Sequence, residues 1–408
     1  MAKILFYTQY YAPETNAPSN RLSGFIKYLK KDNEIVVLTT FPNHPLGKIF
    51  PGYKNKWFQK EVLDDINIYR SYSYIPHNLK NKFERLRNYF SFALSSFINF
   101  RKILKYEKNV DIIIASSPPI SVAIIGTYMS YIAKKPLIID LRDIWPDAAL
   151  SLNIVKKNFW IMIITKLEMW SYNRSSKILV NSPGLKDVLI RQKHIDSKKI
   201  IYLPNGFDFD LLKYVKPPKN LKEHKKFIVM YSGLLGLAQN PLIFIDMAIN
   251  LQEYPNIQIL IVGEGIYKKD LKYQIEQYHL NNILLLNYMS RTEVLNLINN
   301  ADLMLITYKH NDMFRNNIPS KLFEFLALGK PILINLEGEG SKIIKESQSG
   351  ECINTENGKE LAMTILKYYN NQQLLKIWGQ NGKQYVQKYF DQTKLSQQLN
   401  DLIQSIIA

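Results

Sequence analysis

The chain has 408 residues, of which 46% are hydrophobic, 12% aromatic and 22% charged. That balance excludes a disordered or collagen-like polymer, and at about 150 residues per domain it gives two or three domains. Lys and Arg (53) outnumber Asp and Glu (35) for a formal charge of +18, which calls for an anionic partner: nucleic acid, an acidic membrane surface or a phosphorylated substrate.

Cys352 is the single cysteine. No intrachain disulfide or multi-cysteine metal centre can form, and a reducing cytosolic compartment fits. The six histidines are scattered without metal-ligand spacing.

Short β-branched runs alternate with longer helical patterns. Strands are predicted at 3–8, 34–40, 111–115, 137–141, 177–181 and 200–203, then again at 227–232, 257–262, 283–287, 303–307 and 331–335. Most are continuously apolar, as parallel strands covered on both faces must be. The class is therefore α/β, with two Rossmann-like units in tandem and a ligand cleft expected between them. The first unit is expected over 1–210 and the second over 211–385. A C-terminal helix over 386–408 is expected to pack back on the first. Pro217-Pro218 and the charged run 222–226 read as the linker.

The opening run Ile4 to Thr8 is too short for a signal peptide and lacks a small-residue cleavage site. The first strand leads into a long polar and aromatic loop, Tyr7 to Arg21, which puts Asn16 and Arg21 at a strand's carboxyl end. Phe41-Pro-Asn-His-Pro-Leu-Gly-Lys48 is a second such loop, in which His44 could touch a substrate.

Over 79–108 the cations Lys80, Lys82, Arg85, Arg87, Arg101, Lys102, Lys105 and Lys108 far outnumber Glu84 and Glu107. They enclose the uncharged, aromatic-rich stretch 88–100. This suits peripheral attachment to an anionic leaflet, or equally a core helix with a basic end. No charge occurs from Ile112 to Ala133, long enough to cross a bilayer. Ser116-Ser-Pro-Pro119 inside it instead predicts a strand, a turn and a buried helix.

Leu137-Ile-Ile-Asp-Leu-Arg-Asp-Ile-Trp-Pro-Asp147 puts Arg142 and Asp143 just past a strand. They are either an active-centre pair or a loop anchor. Asp208-Phe-Asp210 imitates a metal-binding pair but sits in a turn, where a structural role is expected.

In the second unit Gly233 and Gly236 allow a tight turn and close backbone approach at the end of a strand. Gly263-Glu264-Gly265 recurs at the next strand end but lacks the third glycine of a dinucleotide fingerprint. The most informative stretch is Asn316-Asn-Ile-Pro-Ser-Lys-Leu-Phe-Glu324. Pro319 starts a helix, so Ser320 and Lys321 fall in its first turn, where the helix dipole disfavours a cation. Lys321 makes sense there if it meets a phosphate, and Glu324 one turn on could accept ribose hydroxyls.

Taken together, these residues resemble family 4 glycosyltransferases of the GT-B fold, along nearly the whole chain. The likeness is strongest to the bacterial branch that builds capsule, O-antigen and other surface polysaccharides, including fucosamine-type amino-sugar transferases. It rests on Ala12-Pro-Glu14, Phe41-Pro-Asn43, Ser116-Ser-Pro-Pro119, Arg142-Asp-Ile-Trp-Pro146, Pro204-Asn-Gly206, Tyr231-Ser-Gly233, Gly263-Glu-Gly265, Ala301-Asp302 and Pro319-Ser-Lys-Leu-Phe-Glu324.

The resemblance implies a UDP-sugar co-substrate held mainly by the second unit, retention of anomeric configuration, no metal and no further cofactor. Glu324 matches the second glutamate of the family's Glu-x7-Glu motif, while Asn316 stands in place of the first. Ala238-Gln239-Asn240 carries none of the cations that many relatives have on the diphosphate, and Lys321 is expected to replace them. Donor contacts are expected from Gly233, Gly236, Glu264, Gly265, Tyr288, Met289, Ser290, Ser320, Lys321 and Glu324. Catalytic roles fall to Arg142, Asp143 and Lys321. Asn16, Arg21 and His44 would meet a polyprenyl-diphosphate-linked acceptor, with the enzyme held by 79–108 on the cytoplasmic face of the plasma membrane. A UDP-sugar 2-epimerase of the same fold is the alternative, and a nucleic-acid-binding protein a distant third.

Overall fold

The computed structural model describes residues 1–44, 46–77, 81–144, 147, 150, 158–216 and 226–408. The linker residues 217–225, together with Leu79, Lys80, Trp145 and Pro146, lie outside them. The chain divides into two units: Met1–Pro204 with Gln392–Ala408, and Asn205–Asp391.

The first unit runs β1 (Lys3–Thr8), α1 (Ala17–Leu29), β2 (Glu34–Thr40), β3 (Phe58–Leu63), β4 (Ile66–Ser71), α2 (Lys82–Tyr106), β5 (Ile112–Ser117), α3 (Ile120–Ala133), β6 (Leu137–Leu141), α4 (Phe159–Arg174), β7 (Lys177–Val180), α5 (Pro183–Arg191) and β8 (Ile200–Tyr202). Its eight strands order as β3-β4-β2-β1-β5-β6-β7-β8, parallel except for the β3–β4 hairpin. Successive residues of β1 bury into opposite faces: Leu5 and Tyr7 into one apolar cluster, Ile4 and Phe6 into the other. Strands covered in this way must be apolar at every position.

The apolar stretch from Ile112 resolves into β5, the two prolines and α3, whose Val122, Ala123 and Met129 are buried. Among the described residues no helix is long and apolar enough to cross a membrane. In α2, Phe92, Phe100 and Ile103 face the core, while Phe83, Leu86, Phe90, Leu94 and Ile98 form an exposed row on the other side.

The second unit runs β9 (Phe227–Ser232), α6 (Ile243–Asn250), β10 (Ile257–Val262), α7 (Lys268–Gln277), β11 (Ile283–Leu286), α8 (Arg291–Asn300), β12 (Leu303–Ile306), α9 (Asp312–Arg315), α10 (Ser320–Ala327), β13 (Ile332–Ile334), α11 (Glu339–Glu346), β14 (Gly350–Cys352), α12 (Gly358–Tyr369) and α13 (Gln372–Tyr389). Its parallel strands order as β11-β10-β9-β12-β13-β14. Again two apolar clusters cover the two faces.

The last helix, α14 (Gln392–Ile407), belongs to the first unit. Leu395, Leu399 and Ile403 join Leu22, Phe25 and Ile26 of α1 in one cluster. Asn33 donates to Asn400 Oδ1 at 2.8 Å. The changeover falls at 391–392 rather than 385–386 because α13 runs on to Tyr389. The first crossing falls at 204–205 rather than 210, because 3₁₀ residues Phe209–Tyr214 pack on the second unit's core. Asp208 caps that turn through Asp210 N–H at 3.1 Å, a structural role.

Candidate functional site

Loops at the carboxyl ends of β9 and β10 run against each other. Gly233 N–H donates to Val262 O at 2.9 Å and Leu235 N–H to Glu264 O at 2.8 Å. A Cβ on Gly263 would stand 1.9 Å from Gly233 O, and one on Gly265 2.4 Å from Leu235 O. Gly233 and Gly265 also take φ of +139° and +155°. Any side chain at Gly263 or Gly265 would force the loops apart.

Into this turn comes Lys321, the second residue of α10. That helix has no side-chain cap at Pro319 and no acid in its first turn. The Lys321 ammonium lies over the Tyr231 ring, 3.8 Å from its centroid, and the Tyr231 hydroxyl donates to Leu234 O at 2.7 Å. A Cβ on Gly233 would come within 2.9 Å of Lys321 Nζ. That nitrogen is buried and takes no hydrogen bond. Burial pushes its pKa down to about 7, opposed by the charge of Glu324. An ammonium so placed is costly until an anion joins it. Ser320, half-buried, opens the same helix.

Several expected donor contacts are spent within the protein. Glu324 accepts from Arg291 Nη2 at 2.8 Å and Nε at 3.0 Å, both on Oε1. Glu264 Oε1 receives Lys268 and, at 3.2 Å, the Tyr288 N–H. It therefore ties the loop after β11 to the loop after β10 instead of facing open solvent. The Ser290 hydroxyl is committed to a capping box with Glu293 at the start of α8. Met289 packs against the core.

Gly236 begins the 3₁₀ turn Leu237–Gln239, whose Gln239 O accepts from Thr307 Oγ1 at 2.7 Å. The Gln239 Oε1 is buried without a partner. Asn316 forms the C-cap of α9. Arg291 was not singled out in the sequence; its place inside the Ser290-Arg-Thr-Glu293 cap that starts a helix was the available signal.

In the first unit, Asn16 caps α1 through Oδ1, which accepts from Ser19 N–H at 3.0 Å. Its amide nitrogen therefore donates, to Glu14 Oε2 at 3.1 Å and towards His44 Nδ1 at 3.3 Å. Glu14 Oε1 accepts the N–H groups of Asn43 and His44, each at 2.8 Å. Asn16 and His44 are thus brought together, and Glu14 holds both loops. Burial lifts the Glu14 pKa to about 7, against those hydrogen bonds, and depresses the His44 pKa to about 4. His44 is consequently neutral, with the proton on Nε2.

Arg21 departs from expectation. It does not await an acceptor: Nε and Nη2 bind Asp140 Oδ1 at 3.1 and 2.9 Å, and Nη2 also donates to Leu203 O at 2.8 Å. Ser116 Oγ completes the Asp140 shell at 2.8 Å. The pair is buried and structural, because a guanidinium 1% exposed needs a carboxylate of its own.

Arg142 Nη2 donates to Pro118 O at 3.1 Å, and its Nε is buried without a partner. Burial lowers its pKa to about 10. Asp143 Oδ1 accepts the Ile144 N–H at 3.0 Å. Trp145 and Pro146 of that motif lie outside the described residues.

Residues 25–211 match the model Glycosyltransferase Family 4, and residues 214–385 match Glycosyl transferases group 1. With its two Rossmann-like units, the chain is a glycosyltransferase of the GT-B type. It is 21% identical to an uncharacterized glycosyltransferase of Methanocaldococcus jannaschii, over 99% of each chain. It is 22% identical to the Escherichia coli UDP-Gal:alpha-D-GlcNAc-diphosphoundecaprenol alpha-1,3-galactosyltransferase, over 76% of this chain and 79% of that one. Anabaena HepE in complex with UDP-glucose shares the fold at a TM-score of 0.73 and 18% identity, over 99% of this chain and 100% of that one.

Proposed function

We propose that the chain transfers a sugar, in this reading an N-acetylated amino sugar, from a UDP-sugar to a lipid-linked glycan acceptor. The transfer retains anomeric configuration, needs no metal, and serves capsule, O-antigen or a related surface polysaccharide. The observation that carries this reading is the buried, unpartnered Lys321 ammonium at the Gly233 turn. It supplies a counter-charge where a leaving diphosphate would develop negative charge, alongside the uncapped start of α10. HepE is solved with UDP-glucose, and the E. coli relative's name specifies a UDP-sugar and a diphosphoundecaprenol acceptor.

In the first unit, Arg142 and Asp143 orient the acceptor, and the neutral His44 donates from Nε2 to an acceptor oxygen. The exposed row on α2, with Phe83 79% and Phe90 70% exposed, is flanked by Arg87, Arg101, Lys102 and Lys105. It attaches the protein to the anionic inner leaflet.

A thermal-shift panel of UDP, GDP, ADP and NAD, with and without EDTA, tests the donor class. Stabilisation by UDP alone, unchanged by EDTA, is expected. Stabilisation by GDP alone would overturn the UDP assignment, and no shift with any nucleotide would overturn the transferase site.

A further inference from the structure

We infer that Glu14 is a positioning residue on the acceptor side: its carboxylate clamps the loops that follow β1 and β2 and, acting through Asn16, keeps the proton of the His44 ring on Nε2. That this outward N–H meets an acceptor rests on the proposed function; the clamp and the relay rest on the following geometry.

Strands β1 and β2 are parallel neighbours, with Tyr7 beside Leu38, so their loops leave the same edge of the sheet side by side. Buried side chains join them. Arg70 of β4 donates from Nη2 to Ala12 O at 2.7 Å and from Nη1 to Thr40 O at 2.8 Å, one bond on each side. Glu14, 3% exposed, joins them further along. Its own backbone is held by Ser19 Oγ, which donates to Glu14 O at 2.6 Å.

The clamp needs only one carboxylate oxygen. Oε1 accepts the N–H groups of both Asn43 and His44. A glutamine would offer the same oxygen to both without burying a charge, which is the less costly way to join two loops. What a glutamine cannot do is accept from Asn16. Glu14 Oε2 takes Asn16 Nδ2 at 3.1 Å.

That bond orients the relay. The Asn16 oxygen is committed to the Ser19 N–H at 3.0 Å, which settles which end of the amide is the nitrogen. With one Nδ2 hydrogen on Glu14, the other is free for His44 Nδ1 at 3.3 Å. A donor there meets only an unprotonated nitrogen, so the ring proton stays on Nε2. Tyr10 stands edge-on to the same ring, with centroids 5.3 Å apart. Asn16 and His44 are half-buried whereas Glu14 is buried. The carboxylate therefore lies out of a ligand's reach and acts through the pair that lies within it.

The test is nitrogen NMR of histidine-labelled protein at pH 8, above the Glu14 value of about 7, so that the carboxylate is ionised. The His44 signal is identified by its loss in His44→Phe. The proteins compared are the unaltered chain, Glu14→Gln and Asn16→Ser; serine still caps α1 but has no N–H to give the ring. The unaltered chain should show His44 in the Nε2–H form alone. In both variants the Nδ1–H form should become detectable. A mixture of forms in the unaltered chain would overturn the inference, as would an unchanged His44 signal in both variants. A lower melting temperature in Glu14→Gln with an unchanged His44 signal would make Glu14 a structural clamp and nothing more. If Glu14→Gln fails to fold, Asn16→Ser decides, because the helix cap survives it.

The acceptor role is read separately, by isothermal titration with N-acetylglucosaminyl diphosphoryl farnesol. In His44→Gln the amide N–H can stand in for Nε2–H, and binding should stay within about twofold of the unaltered chain. His44→Phe and Glu14→Gln should bind about five- to tenfold more weakly, the loss of one hydrogen bond. Equal binding by His44→Phe would sink the acceptor reading and leave the control of the His44 proton by Glu14 standing.

Discussion

The Lys321 ammonium rests 3.8 Å from the centre of the Tyr231 ring and has no hydrogen-bond partner. The ring face offsets part of the desolvation cost, and the remainder awaits an anion. Replacing Lys321 with Met should leave the melting temperature of the free protein unchanged or raised, because a costly buried charge is removed. It should weaken UDP by about 10- to 100-fold, the worth of a charge-assisted contact. A lower melting temperature with unchanged UDP affinity, measured by calorimetry, would make the lysine a purely structural residue.

The depressed Lys321 pKa sets a pH dependence. Its folded value, about 7, lies below the ordinary 10.5. Between those values the unfolded chain holds a proton that the folded chain lacks, so this group's contribution to stability rises with pH across the window. Binding a diphosphate needs the protonated form. UDP binding above pH 7 should therefore take up a proton, and titrations at pH 8 in buffers of different ionisation enthalpy will show it. Equal heats in all buffers would remove Lys321 from the contact.

Gly263→Ala offers a test of the loop geometry. Its Cβ would stand 1.9 Å from Gly233 O, so the two loops must separate. A destabilisation of about 1–3 kcal/mol is expected, together with loss of UDP binding. Normal UDP affinity in a folded Gly263→Ala protein would show that the turn does not shape the site.

The Arg21–Asp140 pair should behave as a buried ion pair. Either Arg21→Met or Asp140→Leu alone should cost about 3–5 kcal/mol, and the double variant should recover much of that loss. Denaturant unfolding measures the cycle. A stable Arg21→Met protein with impaired acceptor use would restore the acceptor role that the burial of Arg21 argues against.

Phe90→Ser and Leu94→Ser lie in the exposed row of α2. Each should weaken sedimentation with phosphatidylglycerol vesicles, and high salt should weaken it further. Binding to neutral vesicles that is equally strong, or insensitive to both substitutions, would leave the row without a leaflet.

Much of the architecture is legible in the chain because parallel strands are buried on both faces. Runs such as Ile257–Val262 are buried at every position, with Gln258 the one polar residue among six. The hairpin Phe58–Leu63 with Ile66–Ser71 escaped that criterion, since Gln59, Lys60 and Glu61 interrupt it. Its signal was the two-residue turn Asp64-Asp65, where both residues take positive φ. Lys321 was legible because a cation in a helix's first turn contradicts the dipole. The partners of Arg21 and Glu324 were not. Asp140 is 119 residues from Arg21 and Arg291 is 33 residues from Glu324, and only the folded chain brings them together. A long polar side chain near a strand end reads alike whether it meets a ligand or another side chain.

The return of α14 to α1 makes the first unit discontinuous in sequence. The cluster that holds Leu22, Phe25 and Ile26 is completed when Leu395, Leu399 and Ile403 arrive. During synthesis, the whole second unit leaves the ribosome while that apolar face of the first still stands open. Completion of the N-terminal unit thus waits on the synthesis of α14, after the whole second unit, and a chain broken off before Gln392 carries its own exposed mark of incompleteness.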